Sequence, residues 1–313
     1  MKIASLKVAV CAAVAAAVAG AGGTALGQSF VGLGTGGTTL TSFGASGVSG
    51  PVIPITGLAA GDTIVDIDFF SSGTGQLFGM GSSGRLYTLT TGGATSVATL
   101  NAGPVYTADG AGGTSVGTPV AIDFNPAADR LRVFSGTSNF RITPGTGLLT
   151  SDGPLAYVAG DARFGFAPNL VAAAYINNFD APASTTLYSI DADSNSLVVH
   201  SVGPQFSTLA TQELLQVGGA GAAIDFLAAS TGFDVLTVGG VNTAYVSRGN
   251  TIYTVTLNMG MVGAAAGDLT LFTTVTGAGG TAGITDFAVI PAPGAAVVAL
   301  AGLVVAARRR RMA

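Results

Sequence analysis

One strand–turn–strand unit recurs along this chain, and it constrains the fold more than any other feature. Its clearest copy spans residues 119–135 (PVAIDFNPAADRLRVFS), and this pattern predicts a buried strand, a polar turn and a second strand returning beside the first. The Asp-Phe pair at its centre occurs four times, as Asp68-Phe69, Asp123-Phe124, Asp225-Phe226 and Asp286-Phe287. A chain that repeats one supersecondary unit belongs to a repeat architecture.

Each copy carries about four short strand patterns within roughly 40 residues, which is typical of a propeller blade. We place the first strands of the third and fourth copies at residues 163–168 and 223–227. The N-terminal part supplies strands of the later type, and residues 283–290 supply a first strand, so the two would complete one composite blade. The sequence therefore predicts an all-β, β-propeller-like domain over residues 28–290, with about five four-stranded blades closed by N- and C-terminal strands. The alternative is an open sandwich or a stack of hairpins.

The composition supports strands and excludes some partners. Charged residues are 9% of the chain and Glu213 is its single glutamate, so long exposed helices are not expected. Six of the twelve basic residues lie at the two ends, which leaves six arginines against sixteen acids, or −10, for the domain. A domain this acidic lacks the basic footprint that nucleic acid requires. We expect no nucleic-acid partner.

The N-terminal segment has the layout of a secretory signal peptide. Residues 1–27 contain a lysine-bearing start, an apolar run and small residues before Gln28. We predict cleavage between Gly27 and Gln28, with a buried helix as the alternative. Cys11, the only cysteine, would leave with this segment.

The C-terminal segment, residues 291–313, has three parts: Pro291-Ala292-Pro293, a short apolar run, and Arg308, Arg309, Arg310 and Arg311. The run at 294–307 would make roughly 21 Å of helix, short of the roughly 30 Å hydrocarbon core. This order resembles the PEP-CTERM sorting signal, with Ala292 in place of the glutamate. The resemblance implies an exosortase-like processing enzyme, transient membrane association through the hydrophobic helix, and an outer-envelope or extracellular location. An ordinary single-span anchor is the alternative.

Several strings within the domain resemble a family of bacterial proteins. They are GLAAGD at 57–62, GQLFGMGSSGRLY at 75–87, IDFNPAADRLRV at 122–133, NFRI at 139–142 and TLYSID at 186–191. Together they are similar to the domain of unknown function 4394 family over roughly residues 30–291. The resemblance implies an extracytoplasmic, propeller-like domain with no established activity and no catalytic residues to carry over.

The repeated aspartates are candidate metal ligands. If the first strands are innermost, Asp68, Asp123, Asp225 and Asp286 would converge on a central channel and could hold calcium. The alternative is that each carboxylate accepts hydrogen bonds from backbone N–H groups. The stretch Asp191-Ala-Asp-Ser-Asn195 resembles the start of a calcium loop but lacks its glycine and terminal acid, so we interpret it as a turn. We expect no cofactor other than possible calcium.

Three arginines of the second copy are candidate ligand-binding residues: Arg130, Arg132 and Arg141. A guanidinium offers a planar fork to a carboxylate or an anionic sugar, so an envelope polysaccharide or protein is a candidate partner. The alternative is that these arginines tie neighbouring blades together through Asp109 or Asp161.

The sequence offers little for catalysis. His200 is the only histidine, and no Gly-x-Ser-x-Gly elbow is present. We therefore predict an exported, non-enzymatic binding or scaffolding propeller of the cell envelope or extracellular matrix. The alternative is a metal-dependent propeller hydrolase or lyase that uses the channel aspartates.

Overall fold

A computed structural model describes residues 28–70, 75–109, 114–201, 203–218, 223–226, 230–257, 267–277 and 283–291. The described part contains no α-helix. In chain order its strands are β1 Ser29–Gly34, β2 Thr39–Gly44, β3 Val48–Ser49, β4 Ile53–Thr56, β5 Ile64–Phe69, β6 Leu77–Gly81, β7 Leu86–Leu89, β8 Ser96–Ala102, β9 Thr107–Ala108, β10 Ala121–Asn125, β11 Arg130–Ser135, β12 Ser138–Thr143, β13 Leu148–Pro154, β14 Ala156–Tyr157, β15 Leu170–Tyr175, β16 Leu187–Asp191, β17 Ser196–His200, β18 Thr208–Leu214, β19 Gln216–Val217, β20 Phe233–Val238, β21 Val241–Arg248, β22 Thr251–Val255, β23 Asp268–Thr274, β24 Thr276–Gly277 and β25 Ile284–Val289.

The strands form units of one repeated design, and β4 pairs with β2 so that the first unit and the strands β25, β1 and β2 share one eight-stranded sheet. Four strands pair antiparallel in chain order, and a short strand from the segment before them pairs parallel with the fourth. The first unit is β5–β8 with β4, the second β10–β13 with β9, the third β15–β18 with β14, and the fourth β20–β23 with β19. Each unit therefore receives its outermost strand from the chain that enters it.

A closing unit combines strands from both parts of the chain. In it β25 pairs with β1 and β1 pairs with β2, with Phe30 opposite both Val289 and Phe43. The N–H of Gly50, next to β3, donates to the Ser42 carbonyl of β2 at 2.7 Å. Strand β24 pairs parallel with β3 and so takes the outermost place.

The first strand of each unit lies innermost. Strands β5, β10, β15, β20 and β25 contact one another in that order, and β25 contacts β5 in turn. This ring of inner strands is the architecture of a propeller-like fold. It confirms the all-β, propeller-like fold class expected from the sequence.

Apolar clusters fill the spaces between units. Between the first two units, Phe78 packs edge-to-face on Phe124 at 5.0 Å between ring centroids. Where the closing unit meets the fourth, Phe30 is fully buried, stacks on Phe43 at 4.9 Å and meets Tyr245 edge-on at 5.2 Å. Such aromatic pairs add about 0.5–1.5 kcal/mol beyond their buried area.

Two first-strand predictions were wrong. The expected first strand at residues 163–168 is absent, because these residues form turns and bends, and β15 is the inner strand of the third unit. Residues 223–226 contribute only an isolated bridge between Gln216 and Ala223, and β20 is the inner strand of the fourth unit. The Arg163-Phe-Gly-Phe166 and Asp225-Phe226 strings resemble the repeat pattern locally. The inner strands of these two units, β15 and β20, contain no Asp-Phe pair.

Candidate functional site

Five aspartates lie on the inner strands and are buried. Asp66 and Asp68 share one face of β5 because side chains alternate along a strand. Asp123 lies on β10, Asp234 on β20 and Asp286 on β25, and none of the five is more than 8% exposed. The ring of inner strands therefore places the carboxyl groups around the central axis.

Three of these carboxyl groups converge. One oxygen each from Asp68, Asp123 and Asp234 lies within 4.8 Å of the others. Because β25 lies between β20 and β5 in the ring, Asp234 and Asp68 meet across the axis. Asp286 lies beside Asp66 instead, and the two carboxyl groups interact with each other.

All five aspartates also accept hydrogen bonds from the backbone of the next inner strand. Asp66 and Asp68 on β5 accept from the N–H groups of Ile122 and Phe124 on β10, at 2.6 and 2.7 Å. The remaining bonds of this kind run from Tyr175 to Asp123, from Val289 to Asp234 and from Ile67 to Asp286. The carboxyl groups therefore link neighbouring units through their backbones.

Burial raises the pKa of all five groups. It raises the pKa of Asp66 to about 6 and that of Asp234 to about 7. Burial, reinforced by neighbouring carboxylates, holds the pKa of Asp68, Asp123 and Asp286 well above the ordinary 3.8, although backbone N–H groups oppose the effect. In the described chain the salt bridges go to Asp62 and Asp152, so no described arginine forms an ion pair with this cluster.

One boundary of the ring has no carboxyl group. Strand β15 carries alanines at 172–174, and Ala172 and Ala174 pack with Phe233 and Val235 of β20 in an apolar cluster. Two residues after the end of β15, the N–H of Asn177 donates to the side-chain oxygen of Asn242 at 2.8 Å. The ring is therefore acidic on four strands and apolar on the fifth.

The structure brings together only part of the predicted aspartate set. Asp68, Asp123 and Asp286 lie in the central cluster, but Asp225 is exposed on a connecting segment, where its carbonyl oxygen accepts a hydrogen bond from Arg248. Sequence reasoning missed Asp66 and Asp234. Alternation from Asp68 would have found Asp66, whereas Asp234 follows its phenylalanine instead of preceding it.

Arg132 is buried between two units and bound on every side. It donates to Asp152 at 2.5 Å, to Asn139 at 2.7 Å and to the hydroxyl of Tyr175 at 3.1 Å. The carbonyl groups of Pro204 and Gln205 accept its remaining bonds. The bonds to Tyr175, Pro204 and Gln205 tie the second unit to the third. The acidic partner is Asp152 of the second unit itself, not the expected Asp109 or Asp161.

The other two candidate arginines are more accessible. Arg141 lies with its Nε 2.9 Å from Asp152 and is 29% exposed at its side chain. Arg130 donates to the carbonyl groups of Ala128 and Asp129 in the turn before β11. The structure thus separates Arg132, which is enclosed by protein groups, from Arg130 and Arg141 at the surface.

The stretch 191–195 is a turn, as we interpreted it. The carboxylate of Asp191 is buried and accepts from the N–H groups of Asp193 and Ser194 at 2.9 and 3.1 Å. The hydroxyl of Tyr157 donates to its other oxygen. Asn195 takes a positive φ of 49°, a conformation that asparagine tolerates.

His200 forms a buried pair with Ser189. Its Nε2 lies 2.8 Å from the Ser189 hydroxyl, and its Nδ1 lies 2.7 Å from the Phe206 carbonyl oxygen. Burial lowers the pKa of His200 to about 3, so the ring is neutral and donates from Nδ1 to that carbonyl. Both residues are at most 4% exposed, so they act here as packing and hydrogen-bonding groups.

A loop before β15 exposes two phenylalanines. Phe164 and Phe166 are each 60% exposed, and the guanidinium of Arg163 lies 4.8 Å from the centre of the Phe166 ring. Asp161 fixes the loop by accepting from the N–H groups of Arg163 and Thr211 at 2.8 and 2.6 Å. This is a rigidly supported apolar surface on one end of the propeller-like ring.

The predicted cleavage position adjoins β1, and the sorting motif adjoins β25. Gln28 precedes β1, and Pro291 follows β25 after one residue. Residues 1–27, including Gly27, and residues 292–313, including Ala292, Pro293 and Arg308–Arg311, lie outside the described residues. Within the described residues, no helix has the length and apolar character needed to cross a membrane.

The fold and the site together define an all-β, propeller-like protein with a buried carboxyl cluster on its axis. The chain belongs to the domain of unknown function family DUF4394, whose model matches residues 39–279. This confirms the family resemblance found in the sequence. No curated protein matches the chain.

Solved structures share only a distant likeness with this chain. A protein from Lactobacillus plantarum is 12% identical, with a TM-score of 0.38 and coverage of 80% of this chain and 82% of that one. A protein of unknown function from Bacteroides caccae is 10% identical, with a TM-score of 0.37 and coverage of 76% and 72%. An auxiliary nutrient binding protein from Bacteroides thetaiotaomicron is 9% identical, with a TM-score of 0.39 and coverage of 68% and 43%.

Proposed function

We propose that this protein is an exported, non-enzymatic propeller that binds or scaffolds other molecules in the cell envelope or extracellular matrix. Its signal peptide is removed between Gly27 and Gln28, and its 291–313 tail is processed by an exosortase-like enzyme after transient membrane association. The observation that carries this proposal is the position of both junctions on the closing unit. The Ile290 N–H donates to the Ser29 carbonyl at 2.9 Å, so both junctions lie beside the same strand pair.

Processing at these two places leaves the ring whole. Every described strand lies between Gln28 and Pro291, so cleavage at both junctions removes none of them. A tether at Pro291 also holds the domain by one unit, which leaves the surfaces of the other units free for partners. The net charge of −10 between the two ends disfavours nucleic acid and suits a neutral or cationic envelope component.

Mass measurement of the mature protein tests the export proposal. The full chain, expressed in a bacterium with an exosortase-like enzyme, is expected to begin at Gln28 and to lack Arg308–Arg311. A variant with these four arginines changed to glutamine serves as the comparison, and we expect it to keep its tail. A mature wild-type protein that retains the four arginines would overturn the processing step.

We place the binding surface at the Phe164–Phe166 loop. Exposed aromatic rings on a fixed loop offer contact area at low entropic cost. In co-sedimentation with isolated cell envelopes or envelope polysaccharide, the double variant Phe164→Ala, Phe166→Ala is expected to bind at least about tenfold more weakly. Phe179→Ala is the matched control, because Phe179 is 44% exposed in the loop at the other end of β15. Equal weakening by the control would contradict this placement.

The second candidate is a calcium-dependent propeller hydrolase or lyase. The convergence of Asp68, Asp123 and Asp234 favours it, because carboxylate oxygens are the ligands that calcium prefers. The fit is partial: both oxygens of Asp68 and both oxygens of Asp234 already accept backbone N–H groups, and calcium takes 6–8 oxygen ligands. If bound, calcium would supply a Lewis acid on the axis, and the three aspartates would hold it.

Thermal unfolding at about pH 7.5 decides this second candidate. The unfolding midpoint is measured once in millimolar calcium and once in chelator. It is expected to be higher in calcium only if the carboxylates bind the ion. An Asp68→Asn, Asp123→Asn variant should lose that response. No shift in the wild-type protein, together with no calcium in elemental analysis, removes the candidate.

A further inference from the structure

Gln28 has an unusual partner for a residue at a cleavage position. Its side-chain amide oxygen accepts a hydrogen bond from the hydroxyl of Tyr245 on β21. The Tyr245 ring is buried and is held edge-on by Phe30 at 5.2 Å and by Phe272 at 5.1 Å. The hydroxyl therefore has a fixed position over the amide carbonyl of Gln28.

We propose that Gln28, once exposed as the mature N-terminus, is converted to pyroglutamate, and that the Tyr245 hydroxyl promotes this step. The inference rests on the proposed cleavage between Gly27 and Gln28. The α-amino nitrogen attacks the side-chain Cδ and forms a five-membered lactam. The Cδ–Nε2 bond breaks and the side-chain nitrogen leaves as ammonia, with no oxidation or reduction.

Tyr245 is placed to stabilise the reaction. Negative charge develops on the Gln28 amide oxygen during the attack, and a fixed donor to that oxygen lowers the barrier. Burial raises the pKa of Tyr245 to about 12, so its hydroxyl remains protonated over the whole physiological range. An α-amino group has a pKa of about 8, so the cyclisation rate is expected to rise with pH up to about pH 8 and then level off.

The modification would protect the strand that closes the ring. Strand β1 begins at Ser29, one residue after Gln28, and carries the whole ladder to β25. Aminopeptidases require a free α-amine, which the lactam lacks. Conversion of Gln28 therefore blocks stepwise removal of β1 outside the cell.

Peptide mapping of the secreted full chain tests the inference. Protein recovered soon after secretion is incubated at about pH 6 and about pH 8, and the N-terminal peptide is followed by mass for loss of one ammonia. We expect the lactam to accumulate, faster at the higher pH. In Tyr245→Phe the rate of cyclisation should fall about fivefold, which is the factor expected when the transition state loses one ordinary hydrogen bond. Tyr253→Phe on β22 is the control and should cyclise at the wild-type rate.

The outcomes separate the inference from the proposal on which it rests. An N-terminus at another residue overturns the cleavage site itself. A stable free amine on Gln28 overturns the inference and leaves export standing. A lactam that forms equally fast in a folded Tyr245→Phe protein overturns the role of Tyr245. If that variant does not fold, the wild-type lactam fraction and its pH dependence still decide the modification.

Discussion

Arg132 shows how a single buried charge can hold two units together. Its guanidinium faces Asp152 at 2.5 Å and two backbone carbonyls of the loop at 204–205. The Phe206 ring also lies 5.2 Å from it, which adds a cation–π contact. A charge in such a place is tolerated because protein groups replace the water that it lost.

Removing Arg132 is expected to be costly. Arg132→Ala leaves Asn139 buried without its donor and leaves Asp152 with only the partly exposed Arg141 as an ionic partner, so the free energy of unfolding should fall by about 3–5 kcal/mol. Arg130→Ala, which loses only bonds to turn carbonyls, should change it by less than about 0.5 kcal/mol. Urea denaturation of both variants checks this. Similar losses for the two would show that Arg132 does not tie the units.

The carboxyl cluster predicts a dependence of stability on pH. These groups have raised pKa values in the folded protein, so the folded state binds more protons than the unfolded state above about pH 4. Their contribution is complete below the ordinary value of 3.8 and is lost as pH rises through about 6 to 7. We expect the free energy of unfolding, measured with chelator by urea denaturation, to decrease from about pH 5 to about pH 8.

Neutral variants provide the comparison for this pH series. Asp66→Asn and Asp234→Asn each remove one titrating group while keeping a side-chain oxygen for the backbone N–H. Both should give a flatter pH profile than the wild-type protein. A wild-type stability that rises across this range would contradict the assignment of protonated carboxyl groups.

At the scale of elements, the junctions between units depend on close backbone contacts. The turn between β1 and β2 brings the Gly37 carbonyl to the N–H of Ile64 at the start of β5, at 2.9 Å. Gly37 has a φ of +67°, and a Cβ there would lie 2.0 Å from the Ile64 carbonyl oxygen. Neither the conformation nor the space admits a side chain.

Adjacent glycines allow this junction to be tested. Gly36→Ala, with φ at +90° and nothing within 4 Å, should cost about 1–2 kcal/mol for its conformation alone. Gly37→Ala should cost about 2–3 kcal/mol more, because it also forces the two units apart. Thermal or urea unfolding gives both values. Equal costs would mean that the contact with Ile64 relaxes freely.

The repeat pattern could be predicted from the sequence, but two inner strands could not. The Asp-Phe pairs at 68, 123 and 286 do lie on inner strands. In the third unit the inner strand is alanine-rich, since its boundary with β20 is apolar and has no backbone-binding carboxyl group. In the fourth unit, Phe233 precedes Asp234, so β20 does not match the Asp-Phe pattern. The Asp225-Phe226 pair does match it and predicts the inner strand at the wrong place. Tertiary position, not local pattern, decides which aspartates meet.

At the scale of the whole molecule, closure depends on β1. It supplies the only strand between β25 and β2 in the described closing unit. A chain of residues 28–291 is expected to unfold in one cooperative transition, whereas residues 35–291 should unfold at a much lower temperature and be digested rapidly by protease. Calorimetry and limited proteolysis check this. Similar midpoints for the two chains would show that the ring closes without β1.

The innermost place of β25 has a mechanical consequence. The tail leaves directly from this strand, whose ladder to β1 runs along its full length and whose Asp286 is bonded to Ile67 of β5. A pull on Pro291 along the strand loads all these hydrogen bonds in shear at once, instead of peeling them one by one from an outer edge. If the domain is tethered through Pro291, its resistance to mechanical unfolding would therefore be greatest for force applied at the tether.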